Sequence, residues 1–152
     1  MESPEGMRLV AVVVLSAVIG ALAGSLVTYG LLSGAVRVST RAQVKSVGVD
    51  VFNDADCTVQ LTMIDWGFLE PGQTKNCSAY LKSTSNVVIA VSMITESWNP
   101  ANATSLIGCS WDAQGRQISA DGVIAVNFTL TLNQSTTGLK SFSFTIVISG
   151  SG

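Results

Sequence analysis

The residue types that carry most nucleophilic, acid–base and metal chemistry are thin in this chain. It has 152 residues, three cysteines and no histidine. Without histidine the commonest general base is gone, and with it the Ser-His and Cys-His pairings and most zinc sites. Cys57, Cys77 and Cys109 are scattered and form no C-x-x-C, so a thiolate metal site is not expected. Asp50, Asn53, Asp54 and Asp56 crowd one turn. Oxygen ligands at that spacing could hold calcium, but Asx-turn chemistry accounts for them, and no glycine stands at the bend. Serines and aspartates abound without a partner base or a distinctive carboxylate pair. The expectation is a protein that is not an enzyme and takes no cofactor and no metal. Its net charge is −2, with no basic stripe to hold nucleic acid phosphates, so no nucleic acid partner is expected.

What remains is chemistry done to the chain. Four N-x-[ST] sequons are present: Asn76-Cys77-Ser78, Asn102-Ala103-Thr104, Asn127-Phe128-Thr129 and Asn133-Gln134-Ser135. The asparagine and Ser/Thr content would give about one or two by chance. Asn76, Asn102, Asn127 and Asn133 are therefore glycosylation candidates. They argue for an extracytoplasmic compartment. There a disulfide becomes possible too, with Cys77 and Cys109 slightly preferred as the pair and buried free thiols as the alternative.

The elements that must position these residues divide sharply. Leu9 to Val36 carries no charged residue. A bilayer core about 30 Å thick takes roughly 20 apolar residues as a helix, so residues 9–36 predict a long apolar helix able to span it. Residues 1–8 are then an N-terminal flank and 37–43 a linker. A cleavable signal ending at Ala21-Leu22-Ala23 is a second reading, though it would leave an apolar new N-terminus. Small residues recur at four-residue spacing: Ser16, Gly20, Gly24, and again Gly30 and Gly34. Such ridges let helices approach closely in lipid, which makes them helix-packing candidates for self-association. The positive-inside rule, counting Arg8 against Arg37, Arg41 and Lys45, puts the large domain in the cytoplasm. The sequons are given more weight, and place it outside.

From Val44 the hydrophobic period is two. Strands are predicted over 44–52, 57–64, 76–82, 87–94, 107–112, 123–132 and 141–148. The expected inward sets include Val47, Val49 and Val51; Cys57, Val59, Leu61 and Met63; Cys77, Ala79 and Leu81; Ile107, Cys109 and Trp111. They continue with Ile124, Val126, Phe128, Leu130 and Leu132, then Phe142, Phe144, Ile146 and Ile148. A polar loop is expected from Thr95 to Ser105. The low charged fraction, 12 %, is not disorder, because Ser, Thr and Asn alternate with Val, Ile, Leu and Phe. Seven short strands with turn chemistry between them read as an all-β, immunoglobulin-like antiparallel sandwich over 44–152.

Three resemblances follow from local motifs. Asp65-Trp66-Gly67-Phe68-Leu69-Glu70-Pro71-Gly72-Gln73-Thr74 looks like the D-x-G-x-L-x-P-G-x-[ST] strand–turn–strand of many immunoglobulin-like extracellular modules. With Ser97-Trp98-Asn99-Pro100-Ala101-Asn102, Ser110-Trp111-Asp112 and Ser141-Phe142-Ser143-Phe144, the stretch from Ile64 to Ile148 is similar to small archaeal surface proteins with one N-terminal membrane helix. Gly6-Met7-Arg8-Leu9 resembles a type IV prepilin processing site, without its preceding basic residues and with Ala11 where bacterial pilins carry glutamate. The resemblances imply a membrane-anchored protein that presents an immunoglobulin-like domain at the cell surface. The alternative they leave is a pilin-like subunit of an extracellular filament. The expected partners are membrane lipid, other copies of the helix, and a surface protein or glycan.

Overall fold

The computed structural model describes residues 37–136 and 138–152. The helix expected over 9–36, with Ser16, Gly20, Gly24, Gly30 and Gly34, lies outside the described residues, as does the flank 1–8. Among the described residues no helix is long and apolar enough to cross a membrane. They form an all-β sandwich of two sheets. One sheet has the strand order β3 (Met63–Leu69), β1 (Val38–Val47), β9 (Ser141–Ser151), β5 (Ile89–Asn99), β7 (Gln117–Ile118). The other runs β2 (Val49–Phe52), β4 (Thr74–Ser83), β8 (Val123–Leu132), β6 (Ile107–Trp111). We call them the five-stranded and four-stranded sheets. A single 3-10 turn, Ala101–Ser105, links β5 to β6.

Alternation explains most of the core. β8 spans the expected residues and buries Val126, Phe128, Leu130 and Leu132, with Ile124 half-buried. β9 buries Phe142, Phe144, Ile146 and Ile148 from the facing sheet. Each such aromatic or aliphatic side chain contributes about 1.5–3 kcal/mol when taken from water. Ala79 and Leu81 are buried on β4 as expected, and so is Ile107 on β6.

The first strand differs from expectation. It begins at Val38, so the expected linker 37–43 is mostly strand. β1 buries Val38, Thr40, Ala42 and Val44, whereas Val47 is 67 % exposed. Inward parity is even up to Val44 and odd again at Val49 and Val51. The switch is made at Gly48, whose φ of +75° suits glycine and which sends the chain from the five-stranded sheet into the four-stranded one. The expected inward trio Val47, Val49 and Val51 assumed a continuous strand through that residue.

The second expected strand, 57–64, is also displaced. Residues 53–62 form a loop tied to β2 by Asn53 N–H to Val59 O and Leu61 N–H to Val51 O. Of the expected inward residues Cys57, Val59, Leu61 and Met63, Leu61 alone is buried. β3 instead buries Ile64, Trp66 and Leu69. A β-bulge at Trp66–Gly67, opposite Thr40 and Arg41, shifts the parity between Trp66 and Leu69.

The Pro71-Gly72 turn forms as its chemistry predicts. Gly72 has φ +84° and Gln73 N–H donates to Glu70 O. However, β3 and β4 do not pair across it, because they belong to different sheets. The motif is an arch between sheets rather than a hairpin. The sheet membership also departs from the constant-type immunoglobulin pattern. There the last strand joins the third and sixth; here β9 lies between β1 and β5, and it runs parallel to β1.

β5 extends through Asn99, into the expected loop 95–105. A bulge places Ser97 and Trp98 opposite Phe144. Ser97 takes φ +54°, and Trp98 turns inward to stack on Phe144 with ring centroids 4.2 Å apart. Trp66 stacks on Phe144 at 5.9 Å, so one aromatic column crosses the five-stranded sheet's inner face.

Candidate functional site

The outer face of the four-stranded sheet gathers the sequence's chemistry-bearing residues. Alternation on β4 turns Thr74, Asn76, Ser78 and Tyr80 outward, and on β8 Ala125, Asn127, Thr129 and Thr131. Gly108 and Ser110 continue the face on β6. The register sets them in rows: Thr74, Thr131 and Gly108; then Asn76, Thr129 and Ser110; then Ser78 and Asn127. The face is uncharged across β8, and its polar atoms bond laterally. Thr74 Oγ1 lies 3.0 Å from Thr131 Oγ1, and Ser78 Oγ donates to Asn127 Oδ1 at 3.2 Å. Asp112 closes the row by accepting the Asn127 N–H at 2.8 Å.

Two sequons interlock on this face. Asn76 stands opposite Thr129, and Asn127 opposite Ser78, so each acceptor asparagine faces the other's hydroxyl residue. Asn76 is exposed and Asn127 half-buried. Asn102 is exposed in the 3-10 turn. Asn133 is exposed just past β8, where its Oδ1 accepts the Ser135 N–H at 3.0 Å in an Asx turn. The asparagines were legible as sequons. The hydroxyl rows were missed, although the alternation Thr129-Leu130-Thr131 on a strand already puts both threonines on one face.

The cysteines do not pair. Cys57, Cys77 and Cys109 are free thiols. Cys77 lies on β4 opposite Phe128, and Cys109 on β6 opposite Leu130, so β8 stands between them. Two strand spacings are roughly 9.5 Å, beyond the Cα separation of about 4.4–6.8 Å that a disulfide spans. The preferred Cys77–Cys109 bridge is corrected accordingly: both thiols pack against the core as small hydrophobes. Burial raises the Cys77 thiol above its ordinary range and pushes Cys109 up to about 12.

In the Asp50–Asp56 turn, the Asp54 carboxylate is engaged by its own loop. Thr58 Oγ1 donates to it at 2.7 Å, Thr58 N–H at 2.9 Å and Val59 N–H at 2.7 Å. These bonds, with the Thr58 hydroxyl first, hold its pKa below the usual carboxylate value. The carboxylate acts as a loop cap, in the manner of an Asx turn. Trp111 packs on Phe128 at 5.9 Å, and its Nε1–H donates to Gln114 Oε1 at 2.9 Å.

The five-stranded sheet has a second polar surface, a shallow trough where β5 bulges away. Ser39, Arg41, Asn99, Ser141 and Ser143 line it. Arg41 is 3.5 Å from Asp65, and Lys45 is 3.9 Å from Glu96. Both pairs are well exposed and so contribute little to stability, about 0–1 kcal/mol. The trough can donate and accept hydrogen bonds, but it holds no nucleophile with a base beside it.

No family model and no curated protein matches the chain. The resemblance to small archaeal surface proteins with one membrane helix is thereby corrected. Nothing ties the chain to that family, its pilin-like variant included, and the arch at Pro71-Gly72 is not the paired strand–turn–strand of the immunoglobulin-like modules that its motif resembles.

Proposed function

We propose that this chain is a non-catalytic structural or binding protein of the cell surface, whose β-sandwich is presented outside the membrane by the apolar segment 9–36. One observation carries the reading: the acceptor asparagines at 76, 102, 127 and 133 all occupy exposed or half-buried positions, two of them on an uncharged hydroxyl face. Asparagine is exposed in most proteins whatever its role, so the weight lies in the number of sequons and in the pairing of two of them across β4 and β8. A face of threonine, serine and asparagine suits contact with sugars, whether carried by the chain or by a partner, because hydroxyls and amides exchange hydrogen bonds with either. The sandwich then acts by display. Lipid contact and self-association through Ser16, Gly20, Gly24, Gly30 and Gly34 belong to this proposal.

Protease treatment of intact cells that make the full chain tests the reading, read by an antibody to the sandwich after membrane fractionation. The expected result is a membrane-bound chain whose sandwich is digested without cell lysis. A sandwich protected until lysis would overturn the placement. Recovery mainly in sheared extracellular fibres would favour a filament subunit instead.

A further inference from the structure

The open edges of the two sheets are treated unequally. The free edge of β3 is bulged, and Lys75 Nζ bonds the carbonyls of Trp66 at 2.7 Å and Phe68 at 2.8 Å. β2 is covered by the 59–61 segment, and β7 has two residues. β6 has none of these guards. Its five residues, Ile-Gly-Cys-Ser-Trp, include no charge and no proline, and its ladder with β8 has no bulge. Asn133 N–H donates to Leu106 O and Asp112 N–H to Asn127 O, so even-numbered residues face β8. Ile107, Cys109 and Trp111 therefore turn their N–H and C=O groups to the open side, where no strand of the described residues pairs with them. An unguarded edge of this kind is a template for another strand.

Asn133 stands at the start of that edge. With Ser105, Leu106, Ile107, Gly108 and Thr131 it lines a shallow depression of about 410 Å³, at the small end of ligand-sized cavities, about 300–1,000 Å³. Gly108 borders open space, since a Cβ there would meet nothing within 4 Å. We propose that Asn133 is an N-glycosylation site whose first sugar lies on the outer face over Gly108, so that the sugars beyond it overhang and shield the open edge of β6. The donor is a lipid-linked oligosaccharide. The Asn133 Nδ2 gains a bond to the anomeric carbon and gives up one proton to water, while the bond from that carbon to the phosphate oxygen breaks and the lipid phosphate leaves with the electron pair. The inference rests on the extracytoplasmic reading above.

Ser135→Ala isolates the sugar, because it removes the sequon yet keeps the Asn133 side chain and the Ser135 N–H that it accepts. The full chain and this variant are made in a cell that exports and N-glycosylates proteins, purified in detergent, mapped by glycopeptide mass spectrometry and sedimented. The expected result is sugar on Asn133 in the wild type. In Ser135→Ala, self-association is expected to be at least tenfold tighter, and a second change, Ser110→Lys, is expected to reverse it by charging the edge. Sugar on the other sequons with Asn133 bare would overturn the proposal, as would equal self-association of variant and wild type. A protease-accessible sandwich without sugar on any sequon would defeat this inference alone; a protected sandwich would defeat the placement beneath it.

Discussion

Cys109 shows how burial alone sets reactivity. The thiolate is the nucleophile, and desolvation disfavours it. With its pKa pushed to about 12, Cys109 holds almost no thiolate at pH 8. Cys77 is raised less, and Cys57 lies in the loop after β2. Under native conditions a maleimide is expected to label Cys57 first, Cys77 slowly and Cys109 only after denaturant, as peptide mapping would record. Equal labelling of all three would contradict the packing described. The same shift links stability to pH. The folded thiol titrates near 12 and the unfolded one near 9.0, so its contribution is complete below pH 9 and is lost as pH rises toward 12. Cys109→Ala is expected to flatten the alkaline limb of a Tm-against-pH profile in that window.

Two residues govern how the elements run, and each makes a prediction. Gly48 turns β1 into β2 at φ +75°, and a Cβ there would stand 3.0 Å from the Gly150 carbonyl oxygen. Gly48→Ala is therefore strained twice, by backbone conformation and by contact. A loss of about 1–3 kcal/mol is expected in denaturant unfolding. Lys75 guards the edge of β3, and Lys75→Met frees the carbonyls of Trp66 and Phe68 while keeping most of the apolar stem. The variant is expected to aggregate at lower temperature than the wild type, by light scattering, with Tm reduced only modestly. These elements also mark how far the sequence could be read. β4, β6 and β8 alternate without interruption, β9 does so except for the buried Thr145, and their inward residues followed from period two alone. Parity failed at Gly48, whereas the bulges at Trp66–Gly67 and Ser97–Trp98 fall in stretches that the period did not assign to strands. No local signal distinguishes a glycine that flips a strand from one that merely turns it. Sheet membership was hidden as well, since Pro71-Gly72 builds the same turn in a hairpin and in an arch. The sequons were plain, yet their interlocking on β4 and β8 depends on a pairing between residues far apart in the chain.

At the scale of the molecule, β1 decides whether the five-stranded sheet closes. It is flanked on one side by β3 and on the other by β9, and its register with β9 runs from Ser39 to Val47. Val38, Thr40, Ala42 and Val44 are all buried. Sequence periodicity had placed the start of the domain at Val44, which would discard most of this strand. A fragment of residues 44–152 would lose three of those four inward side chains and the upper half of the β9 ladder. It would also leave β3 with no ladder to the five-stranded sheet, joined through the Pro71-Gly72 arch to β4 in the other sheet, because its ladder partners Val38 to Gln43 are gone. Losing buried groups of this size costs several kcal/mol, comparable to the whole stability of a domain, about 5–15 kcal/mol. Residues 37–152 are therefore expected to unfold cooperatively in urea, whereas 44–152 is expected to show no cooperative transition and to bind a hydrophobic dye. The comparison has a built-in control. Adding back 37–43 as a separate peptide supplies the missing hydrogen-bonding groups at the vacant position between β3 and β9. Recovery of a cooperative transition with that peptide, and not with a scrambled one, would show that the gap has the width of one strand. A fragment 44–152 that folds by itself would refute β1 as the closing strand.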